Sequence, residues 1–252
     1  MSGTIEYALT DAVGTMLLCR EDRHNALGAD ELDAIDQVLD AVAGDDEIRA
    51  LVISNSGDRT FCAGAALDDL NSGRITPDRF QSVMERLARL PIPTIARVNG
   101  SVFGGGVELA LSCDFRIGVA DTRLRVPAAS FGLCYPPAGI ARFVKKLGAN
   151  TARRMLVAAE TLTADELYHI GFYDYLVERD VLDERVEELS VHLAGLAPLA
   201  VAAMKELVMQ AETGSMDPAR AAELTELCSE SDDLQEGFAA QREKRPPRFM
   251  GH

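Results

Sequence analysis

Val13, Thr15 and Leu17 alternate with Met16 and Leu18, the two-residue period of a strand with two distinct faces. Leu32, Ile35, Leu39 and Val42 recur instead at three- and four-residue intervals, which predicts an amphipathic helix. Leu51-Val52-Ile53 reads as a short apolar strand ended by Ser56-Gly57. Thr76-Pro77 opens a second helix with proline in its first turn. Phe80, Val83, Met84, Leu87 and Leu90 carry its apolar face, and Pro91 and Pro93 stop it. Strands resume at Thr94–Val98 and Phe115–Val119. Strands separated by helices predict an α/β fold with parallel pairing through crossovers.

Beyond residue 135 the periodicity turns helical. Thr163 with Glu166 three positions later reads as a capping box, and Gly171 lies where that helix should end. Residues 174–177 suit one more short strand, and 181–196, 198–212, 217–230 and 232–243 follow a helical pattern. The polar stretch 68–78, with Gly73 inside it, is expected to be mobile.

Composition narrows the classes available. With 252 residues, 47% hydrophobic and 26% charged, the chain can bury a large core. No apolar run reaches the roughly 18–20 residues that span a bilayer, and no basic, apolar, cleavable segment opens the sequence, so neither membrane nor secretion is expected. Cys19, Cys62, Cys113, Cys134 and Cys228 are dispersed without CxxC spacing. An odd, scattered set argues against a disulfide framework and against zinc, and points to a reducing cytoplasm. His169 and His192 have no ligand pattern around them, so no metal is expected. The net charge of −15 removes nucleic acid from the expected partners.

The candidate chemistry sits in two segments about 40 residues apart. One is Phe61-Cys62-Ala63-Gly64-Ala65-Ala66-Leu67. The other runs Asn99-Gly100-Ser101-Val102-Phe103-Gly104-Gly105-Gly106-Val107-Glu108-Leu109-Ala110-Leu111 and ends in Cys113-Asp114. Each places small residues after a strand-like run, where a backbone N–H can closely approach a ligand. Two such groups facing each other form an oxyanion hole, and a helix opened by Gly104–Gly106 adds its positive end. Glu108 then stands one turn into that helix, within reach of the bound group. The arrangement suits an enolate.

Together with Asn25-Ala26-Leu27 and the ending Lys244-Arg245-Pro246-Pro247-Arg248-Phe249, these segments resemble the crotonase (enoyl-CoA hydratase/isomerase) superfamily over nearly the whole chain. The resemblance implies a crotonase (ClpP-like) spiral of ββα units over residues 1–195. It also implies a helical trimerisation region over 196–252, giving a homotrimer or a hexamer built as a dimer of trimers. It implies an acyl-CoA thioester as ligand, coenzyme A being part of the substrate and no cofactor tightly bound. The oxyanion N–H groups fall on Ala65 and Gly105, and Glu108 matches one of the two glutamates that hydratases use. Ala63, Gly64, Ala66 and Leu67 would line the coenzyme. Because the chain is strongly acidic, local cations must draw in an anionic ligand; the candidates are Arg20 and Arg23 at one end and Lys244, Arg245 and Arg248 at the other. Phe249 resembles a family aromatic that closes over the acyl-CoA.

The chain departs from the family pattern at three places. The segment that normally reads Phe-Gly-x-Pro-Glu is Leu124-Arg125-Val126-Pro127-Ala128, so a methyl group stands where the second glutamate belongs. Ser130 is the nearest polar side chain in sequence. Ala66 replaces the usual aspartate. The loop Gly132-Leu133-Cys134-Tyr135-Pro136-Pro137-Ala138-Gly139-Ile140 resembles instead the decarboxylase branch, in which a tyrosine orients the departing carboxylate, although that branch carries a histidine where this chain has Ala65. Three readings follow: a hydratase/isomerase-type enzyme working through Glu108, a methylmalonyl-type decarboxylase using Tyr135, and a non-catalytic acyl-CoA binder. Asp114 is expected to fix its strand rather than to do chemistry.

Overall fold

Residues 3–252 are described by a computed structural model. The period-two pattern at the start forms β1 (Ile5–Thr10) and β2 (Val13–Leu18), paired antiparallel. In β2 Gly14, Met16 and Leu18 face the core, and Val13, Thr15 and Leu17 are half-buried. The helical repeat then forms α1 (Ala29–Ala43), which buries Leu32, Ile35, Leu39 and Val42 on one stripe. β3 (Ala50–Asn55) is buried at every position, as a strand covered on both faces must be.

From there the chain spirals. Three successive turns each contribute a longer strand to one sheet and a three-residue strand to another. The pairs are β3 with β4 (Thr60–Cys62), β5 (Thr94–Val98) with β6 (Ser101–Phe103), and β7 (Phe115–Val119) with β8 (Arg123–Arg125). Helices α2 (Leu67–Ser72) and α3 (Pro77–Ala88) follow the first pair, α4 (Gly105–Leu111) the second, and α5 (Pro137–Ala152) the third. β9 (Thr161–Thr163), α6 (Ala164–His169) and β10 (Tyr175–Val177) complete the sheets, whose orders are β1-β2-β3-β5-β7-β10 and β4-β6-β8-β9. The β3, β5, β7 and β4, β6, β8 series pair in parallel. The repeat is therefore ββα, as the resemblance implied. Simple strand–helix alternation misses each second strand, because three residues are too few to show a period.

α7 (Leu182–Ala194) covers the outer face of the larger sheet with Leu182, Val186, Leu189 and Leu193. α8 (Pro198–Thr213), α9 (Pro218–Ser229) and α10 (Asp232–Glu243) follow. The C-terminal tail turns back onto α10, where the buried Asp233 accepts the N–H groups of Met250 and Gly251 at 2.6 and 2.9 Å. Among the described residues, no single helix is long and apolar enough to cross a membrane.

Two local expectations are settled by these contacts. Residues 68–78 are not the loose stretch their polarity suggests. They contain most of α2, Ile75 is buried, and Asp69 accepts the N–H of Ala29 at 2.9 Å while pairing with Arg74 at 3.2 Å. A polar segment is held here by its charges. Asp114 does act structurally: its Oδ2 accepts from the N–H and hydroxyl of Thr94, at 2.8 and 2.9 Å, and from Lys205 at 2.6 Å. It ties β5 and β7 to α8.

Candidate active site

The site is built around a backbone device. Asn25 is buried behind it, accepting the Arg20 N–H at 2.8 Å and donating to the Thr60 carbonyl at 2.9 Å. This fixes the turn before Leu27, which then pairs with the loop after β4. Leu27 N–H donates to Gly64 O at 2.7 Å, and Ala66 N–H donates to Leu27 O at 2.8 Å. In extended backbone, successive peptide groups point to opposite sides. Because Gly64 O and Ala66 N–H face Leu27, the N–H of Ala65 faces away from it. That N–H has no acceptor among the described residues, and neither has that of Gly105, the first residue of α4.

Two glycines let these donors stand side by side. Gly64 has φ +87°, and a Cβ there would lie 2.3 Å from the nitrogen of Gly105. A Cβ on Gly105 would lie 3.2 Å from the nitrogen of Ala65 and 2.6 Å from the ring of Phe80. Any larger residue at either place would push the two loops apart. Two unpaired N–H groups so arranged can both donate to a single oxygen.

Glu108 is three residues past Gly105 on α4, and only 1% of its surface is exposed. Its Oε1 accepts from Arg142 at 2.7 Å, whereas its Oε2 has no partner among the described residues. Arg142, on α5, is itself buried, and its other nitrogen reaches Glu85 Oε2 at 3.0 Å on α3. Tyr135 sits edge-on to Phe143 at 5.7 Å and rests with Gln81 against Gly139.

The two carboxylates are driven apart in proton affinity. Burial pushes Glu108 above the ordinary carboxylate value, outweighing the lowering by the bound Arg142 charge and by the polar groups of Gln81 and Tyr135 nearby. Burial also acts on Glu85, but there the ion pairs with Arg89 and Arg142 win, and its value falls. Glu85 is thus the fixed anion and Glu108 the group that can gain or lose a proton. Tyr135 is raised well above its ordinary value by burial and then by the neighbouring Glu108 charge, so its hydroxyl stays protonated.

The other residues singled out in the sequence fall into two groups. Ala63, Gly64, Ala66 and Leu67 lie on the Ala65 loop, with Leu67 exposed, although the N–H of Ala63 is already taken by His24 O at 2.9 Å. Arg23 is exposed near this loop and makes no ion pair among the described residues, whereas Arg20 is tied to Glu31 at 3.0 Å. Lys244 is exposed just past α10 and is also without an ion pair, while Arg245 is held by Glu236 and Glu243. Phe249 lies over Gly237 and lines a cavity of about 350 Å³ with Ala197, Leu199, Cys228 and Phe238. Neither the 63–67 loop nor the 104–106 segment lines that cavity.

Ala128 is buried in the apolar core, and Ser130 accepts from Arg125 at 3.3 Å at the surface. Cys62 is inert: its thiol donates to Asn25 O, and burial pushes it up to about 12. Gln81, Glu85 and Arg142 were invisible as site residues because they come from α3 and α5, far from Glu108 in sequence. Their one signal is Arg142 itself, a charge set within the apolar run Ile140-Ala141-Arg142-Phe143-Val144. Among the described residues, no cluster of three metal-ligating side chains occurs.

The fold and this geometry define an α/β protein that sets paired backbone donors beside a buried acid. The enoyl-CoA hydratase/isomerase family profile matches residues 9–252. "Probable enoyl-CoA hydratase echA6" of Mycobacterium tuberculosis is 32% identical over 243 residues, covering 96% of this chain and 97% of that one. The short-chain-enoyl-CoA hydratase of Clostridium acetobutylicum is 30% identical over 240 residues, covering 92% of each. The crystal structure of an enoyl-CoA hydratase from Bacillus anthracis superimposes with a TM-score of 0.90 at 27% identity, over 99% of this chain and 100% of that one. The chain belongs to the enoyl-CoA hydratase/isomerase family of the crotonase superfamily.

Proposed function

We propose that this protein binds an acyl-CoA thioester with the carbonyl oxygen between the N–H groups of Ala65 and Gly105, and that Glu108 alone moves a proton on the acyl chain. The C–H bond at the α-carbon breaks, its proton passes to Oε2 of Glu108, and the electron pair moves onto the carbonyl oxygen as an enolate. Returning that proton to the γ-carbon shifts a double bond, and when it is first replaced by a solvent proton the carbon that receives it is exchanged. The observation carrying this reading is a single buried carboxylate with one oxygen tied and the other unpartnered, one helical turn from Gly105.

Hydration needs one group to take a proton from water and another to protonate carbon. With a methyl at Ala128 the second group is missing, so isomerisation is favoured over hydration. The free cations Arg23 and Lys244 support binding of the coenzyme's phosphates. The placement of Tyr135 favours a second reading, decarboxylation of a malonyl-type thioester. Arg142, the buried cation bound to Glu108, is however already engaged by Glu108 and Glu85, and a leaving carboxylate would have to displace them.

Enoyl-, acyl- and malonyl-type CoA thioesters incubated with the protein in heavy water test these readings by mass spectrometry. The expected products carry deuterium at the α- or γ-carbon, with a shifted double bond in the enoyl case and no added water. Release of carbon dioxide from the malonyl-type thioester would move the assignment to decarboxylase. Bound but unlabelled thioesters throughout would leave a binding protein.

A further inference from the structure

The residues around Glu108 form a line of alternating charge that runs from the surface into the site. Arg89 meets Glu85 at 2.6 Å, Glu85 meets Arg142 at 3.0 Å, and Arg142 meets Glu108 at 2.7 Å. Exposure falls along it, from 70% at the Arg89 side chain and 47% at Glu85 to 9% at Arg142 and 1% at Glu108. Only the inner pair is removed from solvent, where charges act most strongly on one another. Arg142 uses separate nitrogens for the two carboxylates, so neither bond excludes the other.

We propose that Arg142 and Glu85 are positioning residues for Glu108. Arg142 clamps Oε1 and thereby presents Oε2 as the one oxygen free to exchange a proton with substrate, while Glu85 holds the guanidinium in place and moderates its pull. This rests on the proton-transfer reading given above and assigns how its carboxylate is set. A clamp on one oxygen fixes the side-chain rotamer without sealing off the acid. Held by both oxygens, the same arginine would leave the site without a base.

The groups that face Glu108 are few. Arg142 approaches from α5, Gln81 and (through Arg142) Glu85 from α3, and the Tyr135 hydroxyl from the segment before α5; the Cys62 thiol of β4 acts on Tyr135 and is neutral. Removing the Glu85 charge takes away a nearby anion and leaves Arg142 undivided, and both changes favour ionised Glu108. Removing the Arg142 charge disfavours ionised Glu108. The two substitutions therefore act in opposite directions, which a role confined to stability would not produce.

The test is a titration of Glu108 by carbon-13 NMR in protein labelled at glutamate carboxyls, the resonance being identified by its loss in Glu108→Gln. Glu85→Gln, a change at a half-exposed position, is expected to lower the titration midpoint. Arg142→Gln is expected to raise it by about one pH unit or more. Arg142→Lys keeps the charge and serves where Arg142→Gln fails to fold; its midpoint is expected nearer to the parent, with lower kcat for exchange and unchanged KM. A midpoint unmoved by Glu85→Gln in folded protein, or moved the same way by both charge removals, overturns the proposal. The titration needs no turnover. If the parent shows no exchange with any thioester, the proton-transfer reading fails while the midpoints still decide whether the relay sets Glu108.

Discussion

Gly64 shows how one residue joins fold to chemistry. Its carbonyl accepts the Leu27 N–H that turns Ala65 outward, and its missing Cβ leaves room for the nitrogen of Gly105. At φ +87° an alanine would be strained whatever the space around it. Gly64→Ala is expected to lower stability by about 1–3 kcal/mol. It should also reduce turnover by about 10²-fold or more, the usual effect of losing one oxyanion donor. Urea denaturation and steady-state rates on the same preparation measure both. A folded Gly64→Ala protein with parental turnover would show that the two donors do not act together.

Glu108 presents the opposite case at this scale, because its surroundings could not be inferred from its neighbours in sequence. Its position after the triple glycine marked it as a candidate acid. Burial raises its proton affinity, and the groups that oppose burial, Arg142, Gln81 and Tyr135, lie 34, 27 and 27 positions away from it along the chain. The chain must fold before they meet. Sequence reasoning singled out the carboxylate and missed the cation that hydrogen-bonds it.

Among the elements, those with a long apolar stripe were legible, as were the capped α6 and the short β10, whereas most three-residue strands were not. α3 begins at Pro77 with Thr76 capping it, and β5 and β7 span the residues their apolar runs mark. β4, β6, β8 and β9 have three residues each and owe their existence to one another, since sheet pairing rather than local pattern creates them. Between these elements Asp114 supplies a polar tie. Asp114→Ala removes the acceptor of Thr94 and Lys205, and charged hydrogen bonds contribute about 1.5–3 kcal/mol. The variant is expected to lose about 2–3 kcal/mol in denaturant unfolding while its activity per folded molecule stays near parental. An activity loss larger than the unfolded fraction would place Asp114 nearer the chemistry than its contacts do.

For the whole molecule, charge and ligand stand in tension. A chain of net charge −15 is proposed to take a strongly anionic coenzyme, so attraction must be local, and many of its arginines are already spent on aspartates. Arg79 and Arg86 on α3, for example, are paired with Asp33, Asp36 and Asp40 on α1. Met204, Val208, Leu227 and Phe238 of the C-terminal helices are exposed in the single chain. Exposed apolar side chains of this kind are what a trimer or hexamer, as the resemblance implies, would have to cover. The fold class was open to sequence reasoning because the motifs that define it are contiguous. The reaction was not, because it depends on which groups three separate helices bring together.

The central claim is that Glu108, alone among the site's acids, moves the proton beside the thioester. The most direct measurement is the rate of deuterium uptake at the α-carbon of a bound acyl-CoA, compared between the parent protein and Glu108→Gln, with thioester affinity determined for both. The account predicts that exchange falls by about 10²-fold or more while affinity is preserved, because the amide keeps the shape of the carboxylate and cannot accept the proton. Exchange that continues at the parental rate in Glu108→Gln would contradict it.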